Sequence, residues 1–370
     1  MNLHISHDNI FMDYIIPIAR EVDPGNNKFI FFSYDRTAEL KHVKSKDVGY
    51  FEYGSDMFWK AVGDINSYRN IYVHWLEGLT TDFVAKIPKG INVIWCFWGG
   101  DGLEIPELKE SNYQPSTLAY YREKSKNKIR SVKDIKKVYH RRQKNQLHIK
   151  AIRRVDYFAH YLEKDYNLIK EATGMKSTFI PFHYAAVEDI VPINEETGPK
   201  GLDILLGNSD TLSNNHFEAI DILSKINSRS SKVFCPLSYE KGKYARDVKA
   251  YGEKELGERF IPMMDFIAKD KYDQMLAGIN SAIMNHNRSQ ALGNIMVLLW
   301  KGAKLFMNEK NFIFQLLSEN GCVISPLSKM TKDELQTSLD EISIRNNREV
   351  LMKLFSKQHQ KEKIKKMLTI

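Results

Sequence analysis

The sequence predicts an α/β protein built from two doubly wound parallel sheets, one in each of two domains. Three observations predict it. Short apolar runs rich in branched and aromatic residues recur along the whole 370-residue chain. Stretches with helical spacing lie between them, and strands that alternate with helices pair in parallel. One polar segment carrying Gly and Pro, residues 193–201 (INEETGPKG), divides these runs into two sets.

A first strand precedes His7. Further strand-like runs occupy 28–33, 70–75, 91–98, 155–159 and 177–182. After the linker come 203–206, 232–236, 259–264, 281–284, 303–307 and 322–325. Several are apolar on consecutive positions, as in strands covered on both faces. In 215–226, Phe217, Ile220, Leu223 and Ile226 share one helical face. The run 294–301 (NIMVLLWK) is apolar nearly all round and predicts a buried helix. Thr331 and Glu334 make a capping box that opens another. The resulting domains are 1–192 and 200–345, with a basic helical segment, 346–370, that can pack back on the first.

The length suits two domains. A hydrophobic fraction of 43% with 11% aromatics excludes a disordered chain. Cys96, Cys235 and Cys322 are far apart and have no metal-ligand spacing. Cys96 and Cys235 sit in apolar runs and read as buried thiols in a reducing cytoplasm. No signal peptide is expected, and no apolar stretch approaches the roughly 18 residues of a membrane span.

Net charge is +8 and uneven. Residues 122–154 carry fourteen Lys and Arg against Glu123 and Asp134 alone. Such a run suits nucleic acid, an anionic membrane surface, or simply a solvated helical face. With no nucleic-acid motif elsewhere, the membrane is the expected partner and nucleic acid is not.

Two polar loops stand at strand ends, where doubly wound sheets bind ligands. The first is 207–216 (GNSDTLSNNH). Gly207 permits a tight turn, and Ser213 or Asn214 can cap the next helix. Asn208, Ser209 and His216 can hydrogen-bond a phosphate or a sugar, although polar residues belong in any turn. The second is 285–294 (NHNRSQALGN). Arg288 offers a fork for a phosphate, or for a carboxylate of its own chain. Ser289, Gly293 and Asn294 stand near a helix N-terminus, whose dipole favours a diphosphate. Two such loops on one sheet favour a ligand over a pair of plain turns.

Common nucleotide motifs are missing. There is no G-x-x-x-x-G-K-[ST], and no G-x-G-x-x-G after the first strand of either half. No Asp-x-Asp follows a strand, so neither a metal nor a resident cofactor is expected. Charge neutralisation then falls to Arg288 and helix N-termini. In the first half, Asp101 follows the strand 91–98 through Gly99 and Gly100, and a carboxylate there can serve as a general base. It can equally cap a helix. His74 and Glu77 are rival bases, with His7 and Asp8 behind them.

Several blocks together resemble the bacterial TDP-N-acetylfucosamine:lipid II N-acetylfucosaminyltransferases, glycosyltransferase family 56. The pattern G-N-S, three residues, S-N-x-H matches Gly207-Asn208-Ser209 and Ser213-Asn214-Asn215-His216. W-G-x-D matches Trp98 to Asp101, and Arg-x-Gln-x-x-Gly matches Arg288, Gln290 and Gly293. Asn308 and Asn311 match Asn-x-x-Asn, Pro236 and Tyr239 match Pro-x-x-Tyr, and Tyr272 matches a single Tyr. The matching order runs from about 70 to 315. The first 70 residues and 120–200 match poorly.

The resemblance implies a GT-B fold, two Rossmann-like domains facing a cleft. It implies a metal-independent transferase of a 6-deoxyhexosamine, working peripherally on the cytoplasmic face of the plasma membrane. The donor is a nucleotide-diphosphate sugar, TDP- or UDP-linked, and the acceptor a polyprenyl-diphosphate-linked saccharide. Donor contacts then fall to the two loops, Asn294, Asn308 and Asn311, with Tyr239 and the segment around Asp265 near the base. Asp101 is the expected catalytic carboxylate. An epimerase-like enzyme of the same fold and a non-catalytic membrane scaffold are the alternatives.

Overall fold

The computed structural model describes residues 1–34, 39–126, 132–191, 193, 201–226, 231–238, 242–265, 267, 269–276 and 278–370. Tyr239, most of the linker 193–201, and 127–131 of the basic run lie outside the described residues. The chain forms two compact units. Unit 1 is Met1–Leu108, Asn127–Asp189 and Phe355–Ile370; unit 2 is Lys109–Lys126 with Ile190–Leu354.

Unit 1 holds a seven-stranded sheet: β1 (Asn2–His7), β2 (Asn27–Ser33), β3 (Gly49–Glu52), β4 (Asn70–His74), β5 (Asn92–Cys96), β6 (Tyr157–His160) and β7 (Thr178–Pro181). The spatial order is β3-β2-β1-β4-β5-β6-β7, and every pairing is parallel. Side chains alternate between two cores. Leu3, Ile5, Ile71, Val73, Val93 and Trp95 enter one, and Phe29, Phe31, Tyr72, Ile94 and Cys96 the other. Both faces are covered, which is why the runs are apolar without interruption.

Unit 2 holds six strands: β8 (Asp203–Leu206), β9 (Val233–Pro236), β10 (Phe260–Met263), β11 (Ile279–Met284), β12 (Lys304–Met307) and β13 (Ser325–Pro326). Their order is β10-β9-β8-β11-β12-β13, again all parallel. The apolar run after the second loop forms the helix Leu292–Trp300, with Ile295, Met296, Leu298, Leu299 and Trp300 buried. Thr331 and Glu334 close both bonds of a capping box at the helix Lys332–Gln336.

Two segments cross the boundary that sequence alone draws at the linker. Residues 109–126 belong to unit 2. There Thr117 donates from its backbone N–H (2.8 Å) and hydroxyl (2.7 Å) to the Glu218 carboxylate, and the Tyr120 hydroxyl donates to Asp247 (2.8 Å). The C-terminal helix Lys357–Leu368 belongs to unit 1. Ile364, Met367 and Leu368 join its second core, and the Tyr72 hydroxyl donates to the Met367 carbonyl at 2.8 Å.

Each sheet has one place where strand order reverses, between β1 and β4 in unit 1 and between β8 and β11 in unit 2. Beyond the carboxyl ends of strands at such a point the flanking loops part and leave a crevice.

Candidate active site

In unit 2 the loops beside the switch point are the two polar stretches, 207–216 after β8 and 285–291 after β11. Gly207 adopts φ +70, and a Cβ there would lie 2.7 Å from Asn214 Oδ1 and 3.0 Å from His216 Nε2. Only glycine lets the chain turn that tightly against these groups.

Asn214 is the hub. Its Oδ1 accepts from the Asn208 N–H (2.9 Å) and faces His286 Nε2 at 2.8 Å, while its Nδ2 donates to the Thr211 carbonyl and hydroxyl and to Ser209 Oγ. Those donors and acceptors fix the amide orientation, so His286 carries its proton on Nε2. A second strand of the network joins the loops. Ser213 Oγ donates to Gln290 Oε1 at 2.6 Å, and Gln290 Nε2 donates to Asn208 Oδ1 at 3.0 Å.

His216 is buried beneath this layer. The Tyr244 hydroxyl accepts from the His216 N–H (3.4 Å) and lies 3.1 Å from Nδ1. Burial pushes the His216 pKa down to about 3, and holds His286 well below 6.5, so both rings are neutral.

Neither Ser213 nor Asn214 caps the next helix. They lie in a 3-10 turn, and the N-cap of the helix His216–Lys225 is Asn215, at φ +51 with no side-chain cap bond. Asn215 is needed elsewhere. Its Nδ2 donates to the carbonyls of Asn112 (3.1 Å) and Asn285 (3.0 Å), and its Oδ1 accepts from the Gln114 N–H (2.8 Å). Asn285 Nδ2 returns a bond to the Asn215 carbonyl at 3.1 Å.

The loop after β11 ends on Ala291 at φ +63, and the helix Leu292–Trp300 begins with no side-chain cap. Alanine has no side-chain acceptor to offer the first N–H groups. Gly293 sits in that first turn with no positive φ. Among the described residues, a Cβ there would meet only Ile190 Cδ1, at 3.7 Å. Arg288 and Asn294 are half-buried. Asn311 holds the loop from below, its Nδ2 donating to the carbonyls of His286 (3.2 Å) and Arg288 (2.8 Å). Asn308 Nδ2 donates to Asn287 Oδ1 at 3.0 Å.

Burial sorts the candidates. Ser213, Asn214, His216, Ser289 and Asn311 are buried and form a frame. Asn208, Ser209, Arg288, Gln290, Gly293, Asn294 and Asn308 are half-buried. Asp265 is exposed after β10. Sequence reading missed Asn215, Asn285, His286 and Gln114. Nothing in their spacing marks them, because their partners lie 70 to 101 residues away.

In unit 1 the structure overturns two expected roles. Asp101 is completely buried. Its Oδ2 accepts from the Leu76 N–H (3.0 Å) and Trp95 Nε1 (2.7 Å), and its Oδ1 from the N–H groups of Trp98 and Gly99, both 3.1 Å. Every lone-pair site is used, so no oxygen is left to take a proton from an acceptor. Burial raises its pKa, while the bonds from Leu76, Trp95 and Trp98 pull the other way. Asp101 is a strut between the loops after β4 and β5, not a base.

His74 is equally enclosed. Asn27 donates its amide to the carbonyls of Ala19 and Asp23, which turns its Oδ1 toward His4 Nε2 at 3.2 Å. His4 is held down to about 3 by burial and is neutral, so its Nδ1 accepts from His74 Nε2 at 3.1 Å. His74 Nδ1 lies 2.7 Å from the Tyr184 hydroxyl, which donates to the Cys96 carbonyl at 3.1 Å. Both nitrogens are committed inside the domain. Of the three expected bases, Glu77 alone has an exposed side chain. Asp8 also serves the fold, accepting from the N–H groups of Lys41, His42 and Val43.

Fold and site define a class. Anabaena HepE in complex with UDP and glucose matches with TM-score 0.64 at 10% identity, covering 100% of this chain and 99% of that one. Sucrose-phosphate synthase from Thermosynechococcus elongatus matches at 0.59 and 10%, covering 100% and 98%. The E. coli trehalose-6-phosphate structure bound with UDP-2-fluoro glucose matches at 0.58 and 9%, covering 100% and 98%. The fold is therefore GT-B, that of glycosyltransferases. A model of glycosyl transferase group 56, 4-alpha-L-fucosyltransferase, matches residues 121–365, well over half the chain. The protein belongs to that family and is a glycosyltransferase.

Proposed function

We propose that this glycosyltransferase takes a 6-deoxyhexosamine of the N-acetylfucosamine kind from a nucleoside diphosphate. It passes the sugar to a polyprenyl-diphosphate-linked saccharide in bacterial surface-polysaccharide synthesis. One observation carries the donor side. At the switch point of unit 2, the uncapped helix N-terminus at Leu292, with Gly293 in its first turn, stands beside Arg288 and the amides of Asn208 and Gln290. Backbone N–H groups, a helix dipole and a guanidinium fork suit a diphosphate without help from a metal. Asn208, Ser209 and Gln290 can then meet sugar hydroxyls, and Asn308 lies at the same edge.

The family's description names an L-fucosyl group, a 6-deoxyhexose. Two structures of the same fold hold uridine nucleotides, so UDP- and TDP-sugars are the donors to compare. A thermal-shift screen of such sugars tests the reading, with EDTA present and absent. A preferred donor that survives EDTA supports it; no saturable donor at millimolar concentration sinks it.

For the membrane, the support is the helix Val132–Arg154. Lys136, Lys137, Arg141, Arg142 and Lys144 are exposed on it, together with Ile135 (55%) and Tyr139 (59%). No helix among the described residues is long and apolar enough to cross a membrane. Cations with interspersed apolar groups suit peripheral binding to anionic lipid on the cytoplasmic face. Sedimentation with phosphatidylglycerol vesicles checks this. The wild type should bind in low salt, and a variant with Glu at 136, 137, 141 and 142 should not.

A further inference from the structure

The ligand end of the unit 1 sheet is finished with rings. His7 ends β1, Trp75 follows β4, Trp98 stands two residues past β5, and Tyr184 three past β7. Phe11, 39% exposed, joins them from the loop before the helix Met12–Val22. Trp75 and Trp98 meet with centroids 5.7 Å apart at 68°, Phe11 and Trp98 at 5.3 Å and 78°, and Trp98 and Tyr184 at 5.4 Å and 83°. His7 touches both indoles, at 6.1 Å and 5.3 Å. Edge-on contacts of this kind hold the rings in place without stacking one face upon another. Trp75, Trp98 and His7 are half-buried.

The rings are held firmly. Trp75 takes φ +72, a conformation bulky side chains avoid. Its indole lies where a Cβ on Gly100 would stand, 2.9 Å from Cη2. Asp101 binds the N–H groups of Leu76, Trp98 and Gly99, and so ties the loop bearing Trp75 to the loop bearing Trp98. A strained backbone at Trp75 and a buried carboxylate thus hold two half-buried indoles at the carboxyl ends of β4 and β5.

We propose that Trp75, Trp98 and Phe11 form the surface that receives the sugar ring of the acceptor. The C–H face of a pyranose lies flat against an aromatic face, while its hydroxyls remain free to reach polar groups. Asp101 is a positioning residue for that surface. The inference rests on the reading that the acceptor is a saccharide.

The test uses the full chain with Trp98→Ala, Phe11→Ala and Trp98→Phe. Binding of methyl N-acetylhexosaminides is followed by saturation-transfer NMR, and nucleotide binding by calorimetry with UDP and TDP. Wild-type protein should saturate the ring protons of at least one glycoside. Trp98→Ala should lose that signal and raise acceptor KM at least tenfold, with kcat and nucleotide Kd within twofold. Trp98→Phe should keep most of the binding. Phe11→Ala, at an exposed position, gives a smaller rise and guards against misfolding of the Trp98 variant. Unchanged glycoside binding in folded Trp98→Ala and Phe11→Ala overturns the proposal. So does a prenyl diphosphate without sugar that competes as well as the glycoside does, since the rings would then receive the isoprenoid. A failure of the donor reading shows separately, as lost nucleotide binding in the wild type.

Discussion

Both units solve one topological problem and finish it with opposite chemistry. Each sheet reverses its strand order once, and at each reversal two loops flank a crevice. In unit 2 those loops carry amides, hydroxyls and a guanidinium around an uncapped helix N-terminus. In unit 1, His7 ends β1 and Trp75 follows β4, with Trp98 and the buried Asp101 beside them after β5. The sheet fixes where a ligand can sit, and the loop side chains fix which. Hydrogen-bond donors and a positive field suit a diphosphate; flat rings suit a sugar face. Even the buried frames differ. Unit 2 is braced by side-chain amides that accept and donate at once, while unit 1 is braced by one carboxylate that only accepts.

The sharpest way to break the comparison is to silence one end and measure both ligands. Arg288→Ala should lower kcat/KM for the donor on the order of 100-fold, about 3 kcal/mol, as for a lost charge-assisted hydrogen bond. Arg288→Lys should recover only part, because a point charge does not reproduce the fork. Gly293→Ala is the cleaner probe. Helix propensity predicts a gain of about 0.5–1 kcal/mol in stability, since among the described residues the new methyl meets only Ile190. Donor affinity should nonetheless fall at least tenfold. A Gly293→Ala enzyme with normal donor KM would remove the helix N-terminus from the site.

Next in size is Asp101→Asn. The amide that replaces one carboxylate oxygen turns an N–H toward groups that are themselves donors. Leaving such donors unmet costs about 2–3 kcal/mol. Urea unfolding should register that loss. Acceptor KM should rise as the two indole loops loosen, while nucleotide Kd stays put. A variant of wild-type stability with lost turnover would restore Asp101 as a base.

These substitutions also mark what the sequence could and could not reveal. Strands β8 to β12 were legible because each is an apolar run between polar turns, mostly buried except at the edge strand β10. β3 was not, since Gly49–Glu52 is half-buried throughout and short. Of the run 322–325, only Ser325 pairs in the sheet, through the two-residue strand β13. The polar loops of unit 2 could be placed from position alone, but their division into frame and contact surface depends on burial. Asp101 misled because an Asp-Gly turn after a strand looks the same whether its carboxylate points out or in; the partners that decide it include Leu76, 25 residues away. The rings of unit 1 left a signal, an aromatic residue just past several strands. It was masked because aromatics also extend a strand pattern.

Acid should weaken both units through the same mechanism. His4 in unit 1 and His216 in unit 2 are held down to about 3, chiefly by burial. Unfolded, each titrates near 6.5, so the unfolded chain binds more protons below that pH and stability falls as pH falls from about 6.5 toward 3. Between pH 6.5 and 5 each ring contributes a loss of about 2 kcal/mol. Urea unfolding at pH 7 and pH 5 should register the loss in wild type. His216→Asn should be less stable at pH 7 yet lose less on acidification. Equal pH slopes in the two proteins would mean that His216 is already charged in the fold.

The smallest predicted effect calibrates the others. Thr331 opens the helix Lys332–Gln336 with both capping-box bonds and an exposed side chain, in unit 2 but on neither polar loop. Thr331→Ala should cost about 1 kcal/mol in unfolding free energy. Donor and acceptor KM should not move, because the loops after β8 and β11 are braced by Asn214, Asn215 and Asn311 rather than by this helix. If KM does move by the factor that 1 kcal/mol implies, general loosening of unit 2 reaches the site. Part of the Arg288 and Gly293 effects would then have to be assigned to stability instead of contact. If it stays fixed, a rise in donor KM from a loop substitution reports the crevice itself, and the contrast between the two units can be measured one ligand at a time.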